Sequence, residues 1–197
     1  MKYEDYIVIY DEAIPKQLCH HIIEKFENSS CKSKGLAATV DGQVENESKR
    51  STEILVGECL EFEDIDKSIF EYVSKYSTKY VNQINQHCDS VLTLSNDYSD
   101  TGYLIKKYEK GDGWFHWHHD LCTEGIDGFR TVAIIIYLND VEVGGCTEFL
   151  SGNKVKPKAG SILFFPASWQ FLHRGAIPYS NSKYVITSFL FQKSASY

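Results

Sequence analysis

No stretch of this 197-residue chain approaches the ~18 consecutive apolar residues of a membrane-spanning helix, which excludes a helical membrane protein and a membrane partner. The N-terminal M-K-Y-E-D-Y lacks the apolar region of a secretory leader, so a soluble, unexported, cytoplasmic protein is expected. Basic residues are in deficit, 20 Lys and Arg against 27 Asp and Glu, and the net charge is −7. A nucleic-acid surface needs clustered Lys and Arg, and the one small cluster, Lys32 to Lys34, does not supply it. The six cysteines form no C-x-x-C pair, and a chain of this length needs no disulfide staples, so reduced thiols are expected. H-E-x-x-H is missing, which removes the motif of a zinc hydrolase. Internal repeats and low-complexity segments are absent too.

What is present reads as one globular domain over residues 1–197, with 43% hydrophobic residues to fill its core. Tyr6 to Tyr10 is a β-branched and aromatic run, hence a strand. Pro15 then suits a first helical turn, with Leu18, Ile22, Ile23 and Phe26 at helical spacing behind it, giving a helix to about Asn28. His20 and His21 on that helix are read as structural. Cys31 to Lys49 has no period and reads as a loop. From about Asp64 to His87, Ile65, Ile69, Tyr72, Val73, Tyr76, Tyr80 and Ile84 recur at three and four, the pattern of one long amphipathic helix. Its tyrosines are core at that spacing rather than a cofactor site.

After Gly102 the pattern changes to strands. Tyr103 to Tyr108 is the first, Lys110 to Gly113 a turn, and Arg130 to Leu138 a strongly β-branched run. Cys146 to Leu150, Val155 to Pro157, Ser161 to Phe165 and Tyr184 to Gln192 follow, separated by glycine turns. Short strands at this spacing predict an α+β chain: residues 101–197 a jelly-roll catalytic core, residues 1–100 a helical support region packed on one sheet.

The chemistry concentrates in W-F-H-W-H-H-D, Trp114 to Asp120. In an extended segment His118 and Asp120 share a face, so one imidazole and one carboxylate can meet a single ion. The one histidine downstream, His173, can complete a triangular face of two histidines and a carboxylate, the set that suits non-haem Fe(II) with open positions for oxygen chemistry. A bare H-x-D pair also fits a polar turn. His116 lies two positions before His118 and leaves a shifted ligand set open on geometry alone.

Y-E-K-G-D-G-W-F-H-W-H-H-D, R-T-V-A-I-I-I-Y-L-N-D, G-G-C-T-E-F, V-K-P-K-A-G-S-I-L-F-F-P and H-R-G-A-I-P-Y-S-N-S-K-Y, in that order, resemble the 2-oxoglutarate and Fe(II)-dependent dioxygenases, specifically their prolyl 4-hydroxylase-like branch. The resemblance spans about Tyr103 to Gln192. It implies a double-stranded β-helix of the jelly-roll, cupin-like kind in which His118, Asp120 and His173 hold Fe(II). It implies that Lys183, ten residues after His173, pairs with the far carboxylate of 2-oxoglutarate, helped by Tyr137 and Tyr108. That carboxylate sits in a mostly apolar barrel and needs a charged partner. The implied cycle consumes 2-oxoglutarate and O2, releases succinate and CO2, and hydroxylates a prolyl residue of a peptide or protein; ascorbate is an optional reductant. The alternatives are the same chemistry on a free amino acid or other small molecule, and a non-catalytic jelly-roll binding module. A nucleic-acid demethylase is disfavoured because Arg174 is the last arginine, leaving no R-x5-R after the distal histidine. Arg50, in an Arg-Ser-Thr segment, and Trp169 are candidates to face substrate, and Val40 to Ser51 is a candidate lid. H-R-G, where H-x-V is more usual, bears on pocket shape.

Overall fold

The computed structural model describes residues 2–38, 44–45, 47–86, 98–122 and 128–193. Among the described residues fifteen strands run in chain order: β1 Val8–Tyr10, β2 Ser33–Lys34, β3 Ala37–Ala38, β4 Val44–Glu45, β5 Lys49–Arg50, β6 Thr52–Leu55, β7 Ser99–Asp100 and β8 Leu104–Tyr108, then β9 Trp114–His118, β10 Gly128–Tyr137, β11 Thr147–Phe149, β12 Lys154–Val155, β13 Ile162–Pro166, β14 His173–Gly175 and β15 Lys183–Lys193. The helices are α1, Lys16–Asn28, and α2, Glu63–Asn85. The large sheet has the order β1-β13-β10-β15-β8-β6-β2, with β7 beside β15; a smaller sheet has the order β12-β11-β14-β9-β5, and β3 pairs β4.

The period-two alternation of the large sheet creates two cores. Ile54, Ile105, Val132, Ile134, Ile136, Ile162, Phe164 and Ile186 turn to the helices, where Ile22 and Phe26 of α1 and Ile65, Ile69, Val73 and Tyr80 of α2 meet them. Tyr108, Ala133, Tyr137, Leu163, Phe165 and Val185 turn the other way, toward the small sheet and its Phe149. A sheet buried on both faces is written as an unbroken apolar run, which is why R-T-V-A-I-I-I-Y-L carries no polar alternation. The expected helical cover on one sheet is the observed arrangement. The tyrosine stripe is core, as its spacing implies: Tyr80 stacks on Phe164 at 5.3 Å and its hydroxyl donates to the Tyr6 carbonyl at 3.0 Å. His20 and His21 lie exposed on α1, beside Glu24 and Asp64. Among the described residues no helix is long and apolar enough to cross a membrane.

Three readings change. The N-terminal strand begins at Val8, since Tyr3–Tyr6 forms a 3₁₀ turn. The Cys31 to Lys49 segment carries three two-residue strands, and a fourth, β5, begins at Lys49; pieces so short have no readable period. The thiols are not all reduced: Cys31 and Cys59 form a disulfide, 28 residues apart in sequence. The pairing of Ser33 with Glu53 brings the two segments alongside, a contact that cysteine spacing does not reveal. Cys19, Cys122 and Cys146 stand outside the disulfide.

Candidate functional site

The hairpin from β8 to β9 delivers the W-F-H-W-H-H-D stretch into the molecule. Gly113 makes that turn possible, because a Cβ there would lie 2.5 Å from the Tyr108 backbone. β9 then pairs with β14, with His173 opposite His118 and Gly175 opposite Phe115. Three residues of β14 thus span four of β9, and the extra residue shifts the register. The shift decides the ligand question. Strict alternation would keep His116 on the face of His118; instead Phe115 stacks on the His118 ring, centroids 3.6 Å apart, and His116 turns out to solvent beside Trp114. The shifted set with His116 is excluded.

His118, Asp120 and His173 converge, with one ligand atom from each lying within 4.8 Å of the others. Asp120 Oδ1 is 3.6 Å from His118 Nε2, and its Oδ2 is 3.5 Å from His173 Nε2. Each imidazole is held from behind by a backbone carbonyl: His118 Nδ1 lies 2.7 Å from the His116 oxygen and His173 Nδ1 3.0 Å from that of Phe171. A carbonyl only accepts, so Nδ1 carries the proton in both rings and Nε2 presents its lone pair to the cavity. Burial, and then the neighbouring His173, push the His118 imidazole down to about 3, against the pull of Asp120. It is neutral near pH 7, as a metal ligand must be. Two imidazoles and one carboxylate on one face, with the opposite side open to a cavity, match the donor set of non-haem Fe(II).

The same cavity is lined by Lys183, Lys106, Tyr108, Phe115, Thr147 and Gly175, among others. Lys183 opens β15 opposite Tyr108, is 2% exposed, donates to the Gly145 carbonyl at 2.9 Å and lies 4.7 Å from the Tyr108 ring centre. Burial pushes its ammonium down to about 8. Tyr137 stands one layer back: its hydroxyl donates to Thr147 Oγ1 at 2.7 Å, and Thr147 faces the cavity. Burial raises both tyrosine hydroxyls, so they remain protonated donors. Gly175, in the H-R-G block, leaves ordinary contact room beside the Lys183 ammonium, 3.7 Å from where a Cβ would stand.

Arg50 and Trp169 are not among the cavity-lining residues. Arg50 is exposed, opposite Trp114 in β9, and pairs with Asp112; Trp169 is 62% exposed on a 3₁₀ turn. Within the Val40 to Ser51 segment, Val40 to Gln43 and Asn46 lie outside the described residues.

Sequence reasoning passed over Lys106 and Thr147. The signal for Lys106 was available: in L-I-K-K-Y the period of two puts Lys106 on the face of Tyr108, so one of two adjacent lysines had to point inward. Thr147 had only its place in G-G-C-T-E-F.

Residues 103–191 match the model of the 2OG-Fe(II) oxygenase superfamily. No curated protein matches the sequence. Among solved structures, the chain is similar to a viral collagen prolyl hydroxylase from Paramecium Bursaria Chlorella virus-1, solved with 2OG. The TM-score is 0.64 at 18% identity, over 97% of each chain. It is also similar to a Trichoplax adhaerens prolyl hydroxylase in complex with a peptide fragment of the hypoxia inducible factor oxygen degradation domain. That match has TM-score 0.69 and 18% identity, over 95% of this chain and 84% of that one. A Pseudomonas putida prolyl-4-hydroxylase gives TM-score 0.60 and 17% identity, over 95% and 93%. With the five sequence blocks, the jelly-roll layers and the two-histidine, one-carboxylate face now in one place, the chain is similar to the 2OG-Fe(II) oxygenase superfamily over residues 103–191 and to prolyl hydroxylases in fold.

Proposed function

We propose that this chain is a 2-oxoglutarate- and Fe(II)-dependent dioxygenase that hydroxylates a prolyl residue of a peptide or protein, with residues 1–197 acting as one catalytic domain. The observation that carries the reading is the convergence of His118, Asp120 and His173, both imidazoles aimed by backbone carbonyls, in a cavity that also holds Lys183. In this reading those three side chains hold Fe(II). Bound with 2-oxoglutarate and O2, the metal supplies oxidation of a C–H to a C–OH as the 2-oxo acid becomes succinate and CO2. Lys183 binds the far carboxylate of 2-oxoglutarate, with Thr147 and Tyr108 beside it. Tyr137 fixes the Thr147 hydroxyl, and the apolar wall of Phe115, Val185 and Phe189 excludes water. Support for a prolyl substrate comes from the three fold neighbours named above, which are prolyl hydroxylases. Arg50, at the end of β5, and the exposed Trp169 are assigned to the docked chain outside the cavity.

The test is incubation with Fe(II), 2-oxoglutarate and ascorbate across a panel of proline-containing peptides, reading succinate together with peptide mass. A gain of ~16 Da on proline, one oxygen atom, is expected. Brisk succinate formation with a free amino acid and none with any prolyl peptide would overturn the prolyl assignment.

A further inference from the structure

The cavity holds one cation more than its chemistry uses. Lys106 points into it from the middle of β8, opposite Val185 on one side and Glu53 on the other, and is 7% exposed. Glu53 and Asp120 pull on its charge, but neither forms an ion pair with it. Glu53 Oε1 is taken by Lys49 Nζ at 2.9 Å and by the Ser51 hydroxyl at 2.8 Å, all three side chains buried. The Lys106 ammonium approaches the Phe115 ring, 5.8 Å from its centre, and makes no ion pair or hydrogen bond with a described residue.

Charge counting sharpens the point. Fe(II), Asp120 and a 2-oxoglutarate dianion together carry one negative charge, which Lys183 cancels. Lys49 and Glu53 cancel each other, and Arg174, the third cation of the lining, is held by Glu148. Lys106 is left over, beside the Phe115 ring and opposite Val185, and a buried ammonium without a counter-ion is costly. Since both ends of 2-oxoglutarate have partners, the missing anion belongs to the other reactant.

We propose that Lys106 is the carboxylate-binding residue of the substrate subsite. The substrate presents a carboxylate, terminal or on an acidic side chain, to the Lys106 ammonium while its reacting carbon faces His118, Asp120 and His173. This deepens, and rests on, the hydroxylase reading above: among prolyl substrates it selects a C-terminal proline or a proline beside an acidic residue. A cation serves this end because a charge-assisted bond in a dry cavity penalises the neutral analogue heavily.

The test is a binding experiment on the full chain loaded with Mn(II) and 2-oxoglutarate, titrated with two matched pairs. One is N-acetyl-L-proline and its amide; the other is acetyl-Gly-Pro-Glu-Gly-amide and its Gln counterpart. In one pair the carboxylate should bind at least ~10-fold tighter than its neutral partner, the low end for a hydrogen bond to a charged group. Discrimination in the first pair assigns a terminal carboxylate, in the second an acidic side chain. In Lys106→Met the preference should disappear while 2-oxoglutarate affinity holds; Lys106→Gln serves if that variant does not fold. Three results overturn the proposal: neither pair discriminated, a preference that survives in the variant, or loss of 2-oxoglutarate affinity with substrate binding unchanged. A probe that binds with full discrimination but gains no oxygen under Fe(II) and O2 would sink the prolyl reading and leave the carboxylate site standing.

Discussion

At the scale of the residue, the site is defined by which atoms are left free. The backbone carbonyls behind His118 and His173 occupy both Nδ1 atoms, so the free nitrogens face Asp120. Asp120→Ala or His173→Ala should abolish tight Fe(II) binding in anaerobic titration, whereas His116→Ala, whose ring points out beside Trp114, should retain it. Equal loss in His116→Ala would move the ligand set. Lys183 carries a pH dependence whose sign follows from burial. Its ammonium is held down to about 8, against ~10.4 in an unfolded chain. As pH rises through the folded value the native state releases its proton first, so between those values the unfolded chain holds more protons and unliganded stability rises. In the proposed function co-substrate binding runs the opposite way, because there the far carboxylate of 2-oxoglutarate pairs with the ammonium. The 2-oxoglutarate affinity should fall by ~10-fold per pH unit above about 8. A flat profile between pH 7 and 9, or an unchanged affinity in Lys183→Ala, would show that another cation does this work.

At the scale of the element, legibility tracked how local the cause of each element is. The long helix and the β10 run were readable because their periods repeat within one segment. β14, the strand that positions His173, was not. Its three residues, His-Arg-Gly, carry no strand signal, and it exists because β9 and β11 pair with it from far away in sequence. The register shift that removes His116 from the site was hidden for the same reason, since a bulge is a property of two strands. The clustering of His118, Asp120 and His173 was legible because H-x-D is local and His173 had no rival downstream. The buried Lys49 and Glu53 pair was not, because β5 and β6 looked like loop end and short apolar run. That pair yields a prediction: Glu53→Gln leaves Lys49 charged, 4% exposed and unmatched, and should cost ~3–5 kcal/mol in urea unfolding, the range for breaking a buried pair from one side. An unchanged midpoint would mean that Lys49 escapes to water.

At the scale of the whole molecule, two helices and one face of the large sheet form a support half, while the opposite face and the small sheet enclose the cavity. The Cys31–Cys59 disulfide belongs to the support half. It ties the segment after α1 to the approach of α2, and its contacts are Ser29 and Glu61 rather than any cavity residue. Closing a 28-residue span removes chain entropy from the unfolded state worth about 3–4 kcal/mol in the loop-closure model. For a chain of this size each kcal/mol moves the melting temperature by roughly 2–4 °C. Cys31→Ser or full reduction should therefore lower the melting temperature by roughly 6–16 °C, read by circular dichroism. Fe(II) and 2-oxoglutarate affinities at 20 °C should stay unchanged, because no strand carrying His118, Asp120, His173 or Lys183 is tethered by the bond. Coincident melts in the presence and absence of reductant would remove the disulfide from the stability of the fold. A melt shift accompanied by loss of metal binding would show instead that the support half and the cavity are coupled through β5 and β6.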